Sequence, residues 1–315
     1  MSKILVIGGT GFIGSHVVSR LARDGHVLSV PTRLRQRARD LLLLPTVDVV
    51  EADIHDDAIL DGLVAGCDAV VNLVGVLHSR PGNPYGPDFA RAHVALPRRI
   101  LDACYKAGIR RLVHMSALGA MPDAPSEYLR SKSAGEEVLV AARTRIDATV
   151  LRPSVVFGPD DRFLNLFATL NRWFPVLFLG CSKAKFQPVH VDDVAECVAR
   201  CIADCDSIHR CYDLCGPNVY TLRELVAFAG AASGHPRPVI GLSDGLAYFQ
   251  AWAMEWMPKK LLSRDNLRSM RVPSVSSAAF PFGIVPQVLE ATAPAWLGSK
   301  ANQSHYDDFR GRAGR

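Results

Sequence analysis

The stretch 3-KILVIGGTGFIG-14 joins a short apolar run to a turn that contains Gly8, Gly11 and Gly14, and an amphipathic segment follows it. A strand, a glycine-rich turn and a helix in this order form the context in which a dinucleotide phosphate is bound. Gly8 allows the tight turn, Gly11 lets the backbone approach the pyrophosphate, and Gly14 lets the helix pack closely on the sheet. The helix N-terminus supplies N–H groups and a positive dipole. The stretch therefore predicts a phosphate-binding loop.

The rest of the first half repeats the pattern of an apolar run followed by an amphipathic stretch. Several runs are apolar almost throughout, which is typical of parallel strands covered on both faces. The predicted strands are 3–8, 26–30, 47–53, 68–75, 110–116 and 148–158, and the predicted helices are 12–24, 35–44, 88–107 and 127–143. This alternation predicts an α/β fold with a doubly wound parallel sheet of the Rossmann type.

The second half is less regular. The predicted elements are helices at 161–172, 192–203, 222–232 and 244–262 and strands at 189–191 and 211–215. Thr221 and Glu224 have the spacing of a capping box at the start of the helix 222–232. We expect a Rossmann core over 1–157 and 186–215, a smaller C-terminal, substrate-side lobe over 158–185 and 216–298, and a disordered tail over 299–315.

Composition excludes several classes of protein. The chain has 315 residues, of which 49% are hydrophobic and 21% charged, so wholesale disorder is excluded. No apolar run reaches the roughly 18–20 residues of a membrane-spanning helix. The net charge of +5 is only mildly basic and no basic stripe is interleaved with aromatic residues, so no nucleic-acid partner is expected.

The eight cysteines are too sparse for a disulfide scaffold and include no Cys-x-x-Cys pair, so we expect no metal site. The N-terminal residues do not have the pattern of a signal peptide. We therefore expect a cytoplasmic protein.

Residues after the second, third and fourth strands predict how a dinucleotide would be held. The second strand ends without Asp or Glu, whereas Thr32, Arg33 and Arg35 suit a ribose 2′-phosphate, which favours NADP(H) over NAD(H). Asp53 ends the third strand, where it can accept from the adenine amino group. Residues 73-LVG-75 (Leu73, Val74 and Gly75) lie at the carboxyl end of the fourth strand, where open α/β sheets bind ligands.

Tyr128 and Lys132 are four residues apart on a predicted helix, so they share one helical face. An ammonium beside a phenol favours the phenolate and is expected to lower the pKa of Tyr128. Tyrosine could then act as general acid or base near neutral pH. Lysine can also hold the nicotinamide ribose, so both residues are candidates for cofactor binding and catalysis.

With these motifs the sequence resembles an extended, atypical short-chain dehydrogenase/reductase of the NAD-dependent epimerase/dehydratase type. The matching pieces are 8-GGTGFIG-14, Asp53-Ile54, 71-VNLVG-75, Tyr128-x-x-x-Lys132, Arg152-Pro153 with 157-FGP-159, and 187-QPVHVDDVA-195. A narrower resemblance, to the 39-kilodalton accessory subunit of respiratory complex I and its bacterial relatives, rests on 110-RRLVHMSALGA-120, 187-QPVHVDDVA-195 and 263-SRDNLRSM-270.

The resemblance implies a Rossmann domain with a bound nicotinamide dinucleotide and assigns roles to residues. The residues implied to contact the pyrophosphate are Gly8, Thr10, Gly11, Phe12, Ile13 and Gly14. Tyr128 and Lys132 match the catalytic pair, and Pro153 and Val156 are implied to lie near the nicotinamide amide. Active members carry Ser or Thr after the fifth strand to polarise the substrate carbonyl.

At the position of that Ser or Thr this chain has Ala117, with Ser116 one residue earlier. A shift of one residue turns a side chain to the other face of a strand. Ser116 can compensate if the strand has ended before it, and it is therefore the candidate polariser.

Three functions are compatible with these residues. The first is hydride transfer to or from a carbonyl or alcohol, with a small-molecule, lipophilic or quinone-related substrate. The second is a non-catalytic NADPH-binding accessory or assembly protein of the complex I type, and the third is an epimerase or dehydratase.

Residues Trp252, Met254 and Trp256 with 257-MPKK-260 form an aromatic, cation-flanked segment. Such a segment suits a membrane surface or an isoprenoid-tailed substrate, and a helix that covers the substrate pocket is the alternative. We therefore also consider peripheral association with the inner face of a membrane or with a respiratory complex.

Overall fold

The computed structural model describes residues 1–256 and 262–298. The chain forms two compact units. The first unit comprises Met1–Ser154, Val191–Leu214 and Ser276–Ile284, and the second comprises Val155–His190, Cys215–Val275 and the chain from Val285 onward. The predicted tail over 299–315 lies outside the described residues.

The first unit is built on a seven-stranded parallel sheet with the strand order β11-β6-β5-β4-β1-β2-β3. Its strands are β1 (Lys3–Ile7), β2 (Val27–Thr32), β3 (Val47–Glu51), β4 (Ala69–Asn72), β5 (Arg111–Met115), β6 (Asp147–Pro153) and β11 (Cys211–Leu214). The chain runs outward from β1 to β3 and then returns to β4 on the other side of β1. The predicted doubly wound Rossmann sheet is confirmed, and its strand order reverses between β1 and β4.

Helices cover both faces of this sheet, which explains why the strands are apolar. The residues Ile4, Leu5, Val6 and Ile7 of β1 are completely buried. The helical elements of the unit are α1 (Phe12–Arg23), α2 (Asp57–Val64), α3 (Pro87–Phe89), a π-helical segment (Ala90–Ala95), α4 (Leu96–Ala107), α5 (Glu127–Ala141) and α7 (Val191–Ala203). The segments α3, Ala90–Ala95 and α4 follow one another without a break where one helix over 88–107 was predicted.

Two sequence predictions in the first unit are corrected. The segment 35–44 is not an α-helix but two 3₁₀ turns, Arg35–Ala38 and Leu41–Leu43. It is short and rich in arginine, and like charges one helical turn apart destabilise an isolated helix. The predicted strand 148–158 ends at Pro153, since a proline has no N–H with which to extend a sheet.

The second unit consists of short strand pairs and helices around its own apolar core. Its strands are β7 (Val156–Phe157), β8 (Leu177–Leu179), β9 (Lys185–Phe186), β10 (Val189–His190), β12 (Tyr220–Thr221) and β13 (Val239–Gly241), and they pair as β7 with β10, β9 with β12 and β8 with β13. Its helices are α6 (Leu164–Trp173), α8 (Leu222–Ala232), α9 (Asp244–Glu255), α10 (Arg264–Ser269), α11 (Leu289–Thr292) and α12 (Pro294–Leu297).

The predicted capping box of the second unit is confirmed. Thr221 accepts from the backbone of Glu224, whose side chain accepts from the backbone of Thr221. The helix predicted over 244–262 is shorter, because α9 ends at Glu255, and the residues 257–261 lie outside the described part of the chain.

Within residues 1–256 and 262–298, none of the helices has the length and apolar character needed to cross a membrane. The same residues contain no group of three or more His, Cys, Asp or Glu side chains that could hold a metal ion.

Close contact at Gly14 allows a direct test of the phosphate loop. A Cβ atom at Gly14 would overlap the carbonyl oxygen of Gly8 and the backbone of Gly9. We expect Gly14→Ala to lower the free energy of unfolding by about 2–4 kcal/mol, as measured by urea denaturation. The matched control is Gly62→Ala, because Gly62 also lies within a helix but a Cβ there would meet nothing within 4 Å.

The control should raise the free energy of unfolding by about 0.5–1 kcal/mol, since alanine is the better helix former. Equal effects of the two substitutions would contradict close packing at Gly14.

Candidate functional site

The phosphate loop has the geometry that anion binding requires. Gly8 has a φ of +86°, and its carbonyl oxygen accepts from the N–H of Gly11 at 3.0 Å. Helix α1 begins after Gly11 with no side-chain cap and no acidic residue in its first turn, and Arg20 and Arg23 lie in its last turn. The positive end of the helix dipole therefore stays uncompensated by local carboxylates. Of the other predicted contacts, Thr10 lies in the turn, and Phe12 and Ile13 open the helix.

The loop is joined directly to the end of β4. The N–H of Leu73 donates to the carbonyl oxygen of Ile7 at 2.9 Å. A Cβ at Gly8 would lie 3.1 Å from the carbonyl carbon of Leu73 and 3.2 Å from the nitrogen of Val74. The structure thus brings Leu73 and Val74 beside the phosphate loop, at the point where the strand order reverses, and Gly75 follows them beside Lys132.

The ends of β2 and β3 bring Arg33 near Asp53. Arg33 is exposed, and with Arg91 it helps to lower the pKa of Asp53, although the main cause is the hydrogen bond from the N–H of His55. Thr32 is buried, and its hydroxyl exchanges hydrogen bonds with the backbone of Leu34, so it shapes the turn that carries Arg33.

Arg35 is exposed and opens the following 3₁₀ turn. The cationic side chains at this end of the sheet are therefore offered to solvent from a short turn rather than from a helix.

Lys132 is a buried cation. Its side chain is 4% exposed, and Nζ donates to the carbonyl oxygen of Met115 at 3.0 Å. A Cβ at Gly75 would lie 3.4 Å from this Nζ. Burial lowers the pKa of Lys132 to about 8, and the charge of Glu136 acts in the opposite direction. The structure therefore brings Lys132 on α5 to the end of β4.

Tyr128 lies on the same helix among aromatic rings. Its ring makes edge contacts with Phe89 and His93, with centroid distances of 6.0 and 5.6 Å. The prediction that Lys132 lowers the pKa of Tyr128 is wrong for this structure, because burial of the phenol raises that pKa to about 12. The ammonium of Lys132 is instead directed to Met115. At neutral pH the phenol therefore keeps its proton.

Ser116 follows directly after the last residue of β5, so the strand has ended before it. Its side chain is 3% exposed, and its Oγ has no hydrogen-bond partner among the described residues. A buried hydroxyl in this state is costly unless another group satisfies it. Ser116 is thus a free donor one residue beyond the carbonyl that Lys132 contacts, whereas Ala117 has no polar side chain.

Glu136 pairs with Arg152, a contact that the sequence analysis did not predict. Arg152 Nε donates to Glu136 Oε1 at 2.8 Å, and a second guanidinium nitrogen contacts Oε2. Glu136 is nearly buried, and this hydrogen-bonded contact raises the pKa of Arg152. The carboxylate is therefore held in place one helical turn from Lys132.

Two buried histidines, His93 and His114, also belong to the site although they were not predicted as site residues. His93 contacts Val76 and Ser131 through its two ring nitrogens, and His114 contacts Asn72. His93 shares a helical face with Phe89, Leu96 and Ile100, all of which are buried. A polar residue on an apolar helical face was the signal available in the sequence.

The last two predicted residues lie in different units. Pro153 ends β6, and its carbonyl oxygen accepts from the N–H of Leu118 at 3.0 Å. Val156 belongs to the second unit, where it pairs with Val189 between β7 and β10.

The comparisons with known proteins agree with this architecture. The family model described as "NAD dependent epimerase/dehydratase family" matches residues 4–215. The chain is 31% identical over 306 residues to NADH dehydrogenase (ubiquinone) 1 alpha subcomplex subunit 9, mitochondrial, of Mus musculus, covering 90% of this chain and 77% of that protein. It is 32% identical over 206 residues to ceramide reductase of Caulobacter vibrioides, covering 64% of this chain and 60% of that protein.

The structure of MoeE5 in complex with UDP-glucose and NAD has the same fold, with a TM-score of 0.67 at 22% identity, covering 76% of this chain and 85% of that one.

The residues of the first unit fit a nicotinamide dinucleotide. A Cβ at Gly8, Gly11 or Gly14 would crowd neighbouring backbone atoms, so the turn has the tight, side-chain-free backbone that a phosphate group can approach. The unpartnered hydroxyl of Ser116 adds a donor for a bound group.

Burial of Lys132 predicts a specific dependence of stability on pH. The pKa of this ammonium is about 8 in the folded chain and about 10.4 when unfolded. The unfolded chain binds more protons between these values, so the free energy of unfolding should rise with pH across that interval. Lys132→Met should therefore be more stable than the parent by roughly 1–3 kcal/mol at pH 7, and the gap should close near pH 10.5.

Urea denaturation of both proteins at the two pH values measures this difference. Lys106→Met is the control, because Lys106 is exposed, and it should show no gain in stability at pH 7. A Lys132→Met protein that is less stable than the parent by the same amount at both pH values would contradict the lowered pKa.

Proposed function

This chain belongs to the NAD-dependent epimerase/dehydratase family, and on that premise we propose that it is an oxidoreductase that uses NADP(H) to interconvert a carbonyl and an alcohol. Its relatives include a complex I subunit and a ceramide reductase. The observation that carries the proposal is the buried hydroxyl of Ser116, which has no hydrogen-bond partner among the described residues. A purely structural site would gain stability by satisfying or removing this group, whereas a catalytic site keeps such a donor for its substrate.

In this proposal Tyr128 is the proton donor of the reductive direction. Its phenol is protonated at neutral pH because burial raises its pKa to about 12. A bound nicotinamide would supply the hydride for the carbonyl carbon. Tyr128 gives its proton to the carbonyl oxygen, and Ser116 donates a hydrogen bond to the same oxygen. The product is an alcohol, and solvent restores the proton of Tyr128.

Lys132 has two tasks in this scheme. Its ammonium lies close to Gly75 at the end of β4, where it would hold the cofactor ribose. It also offsets the negative charge that Tyr128 acquires when it loses its proton. Lys132 is mainly protonated at pH 7, because its pKa is about 8 and the nearby Glu136 keeps that value from falling further.

We assign the cofactor as NADP(H) because of the residues at the end of β2. The strand ends in Thr32 and Arg33 and offers no carboxylate to a ribose 2′-hydroxyl. Arg33 is exposed and would meet the 2′-phosphate, whereas the Asp53 carboxylate would accept a hydrogen bond from the adenine amino group.

We further propose a lipophilic substrate and a cytoplasmic location at the inner face of a membrane. Helix α9 and the residue that follows it carry the exposed aromatic side chains Phe249, Trp252 and Trp256, which are 63%, 42% and 79% exposed. Exposed aromatic residues in one place are typical of surfaces that meet lipid or an apolar partner. A ceramide reductase among the relatives supports a lipid-like carbonyl compound.

The second candidate is a non-catalytic, NADPH-binding accessory or assembly protein of a respiratory complex. The similarity to a mitochondrial NADH dehydrogenase subunit over most of the chain favours it. Fractionation of cells distinguishes the two candidates: co-migration with a respiratory complex supports the accessory protein, and a separate protein with turnover supports the enzyme. An epimerase or dehydratase would instead leave the cofactor's redox state unchanged after each cycle.

Replacement of Tyr128 tests the enzymatic proposal. We expect Tyr128→Phe to lower kcat for NADPH-dependent reduction by about 10²–10⁴-fold with little change in NADPH affinity, because it removes only the proton donor. The assay follows NADPH absorbance with aldehydes, long-chain ketones and quinones. The matched control is Tyr105→Phe, since Tyr105 is exposed.

The control should keep the parental rate. The proposal fails if the parent protein oxidises NADPH with none of these aldehydes, ketones and quinones and if Tyr128→Phe also preserves the cellular function.

Replacement of Arg33 tests the cofactor assignment. Arg33→Ala should weaken NADPH binding by about 10-fold or more, because a charge-assisted contact to phosphate is lost, and should leave NADH binding nearly unchanged. Titration of intrinsic fluorescence gives both dissociation constants. Arg37→Ala is the control and should change neither. A parent protein that binds NADPH and NADH equally well would refute the assignment.

A further inference from the structure

The end of β4 is held by hydrogen bonds to two buried imidazoles. His93 Nε2 accepts from the backbone N–H of Val76 at 3.0 Å. Because Nε2 is an acceptor, the ring proton of the neutral imidazole lies on Nδ1, which donates to Ser131 Oγ at 2.8 Å. The Ser131 hydroxyl then donates to the carbonyl oxygen of Tyr128 at 2.7 Å. One imidazole thus connects the segment after β4 to helix α5.

The second imidazole, that of His114, connects the same segment to β5. Asn72 Nδ2 donates to His114 Nδ1 at 3.1 Å, and Asn72 Oδ1 accepts from the N–H of Val74 at 3.2 Å. His114 therefore carries its proton on Nε2, the opposite tautomer to His93. Residues Asn72–Val76 are bonded on one side to His114 and on the other to His93.

Close backbone packing joins α5 to the segment that carries His93. A Cβ at Gly135 would overlap the carbonyl oxygen of His93, so α5 lies directly against the π-helical segment Ala90–Ala95. A Cβ at Gly75 would lie 4.0 Å from His93 Nε2 and 3.4 Å from Lys132 Nζ. The π-helical turn, which adds a residue to the helix, is a feature that often occurs at functional sites.

We propose that His93 and His114 are positioning residues that hold the segment Asn72–Val76 against α5. They thereby set the distance between the phosphate loop, which lies against this segment, and Lys132. The proposal rests on the proposed function, in which the end of β4 and Lys132 bind the cofactor, and it deepens that function. Neither imidazole reacts with substrate in this scheme. They act through the backbone of Val76, the side chain of Asn72 and the helix that carries Tyr128.

Both imidazoles are suited to this task because they stay uncharged. His93 is 1% exposed and His114 is 2% exposed. Burial and the nearby ammonium of Lys132 lower the pKa of His93 to about 2 and that of His114 to about 3, and His114 also acts on His93. A protonated ring would lose its acceptor nitrogen, so each imidazole keeps its hydrogen bonds across the physiological pH range.

The test uses His93→Phe in the cofactor-free protein. Phenylalanine preserves the ring contacts with Phe89 and Tyr128 but removes the acceptor for the N–H of Val76. We expect amide exchange at Val76 to accelerate by about 10-fold or more, with unchanged exchange at Val113 in the middle of β5. NADPH should bind about 10-fold more weakly, because the loop is no longer preorganised.

His26→Phe is the matched control, since His26 Nδ1 also accepts a backbone N–H, that of Ser2. It should leave exchange at Val76 and NADPH binding unchanged. His93→Gln, which restores an acceptor and a donor, should recover most of the protection at Val76. Nitrogen NMR of the parent should show an N–H at Nδ1 of His93 and at Nε2 of His114.

Unchanged exchange at Val76 in His93→Phe would overturn the proposal, as would a parallel rise at Val76 and Val113, which indicates a general loss of stability. The exchange measurement needs no cofactor and no substrate. Protection that is lost only locally in a protein that shows no turnover therefore supports the positioning role while the enzymatic proposal fails.

Discussion

Burial of the Lys132 ammonium is the constraint on which the site depends. Removing a charge from water is costly, and the lowered pKa of about 8 reflects that cost. The carbonyl oxygen of Met115 gives the ammonium a direct partner, and Glu136, held by Arg152, adds a negative charge one turn away. A second cation beside Lys132 would raise the cost further. The uncharged state of His93 and His114 is therefore part of what allows a lysine to be buried here.

Close backbone packing brings the elements around this lysine together. Gly135 lets α5 lie against the carbonyl oxygen of His93, and Gly75 at the end of β4 lies close to Lys132. On the neighbouring strand, Gly8 allows the phosphate loop to lie against Leu73. These contacts bring the loop, the strand end and the helix together at the place where the strand order reverses. A binding site at that place follows from the topology of open α/β sheets.

Local patterns predicted the parts of the site that are contiguous in sequence. The phosphate loop and the Tyr128–Lys132 pair have fixed spacings on single elements, so their placement could be read from 8-GGTGFIG-14 and from a four-residue interval. His93 and His114 could not be assigned in this way, because their partners Val76 and Asn72 are 17 and 42 residues away. The helix predicted over 35–44 failed for a local reason, since its arginines at 35 and 39 lie one helical turn apart and its leucines are consecutive rather than spaced along one face.

The amino-acid sequence by itself determined the parallel sheet, the cofactor loop and the residue types available for chemistry. These depend on apolar periodicity, glycines and short spacings, which act over a few residues. Only the tertiary structure decided the protonation of those residues. Burial raises the pKa of Tyr128 and lowers that of Lys132. Without burial, the ammonium of Lys132 would instead lower the pKa of the neighbouring tyrosine. Desolvation depends on everything packed around a group, and that environment comes from segments far apart in the chain.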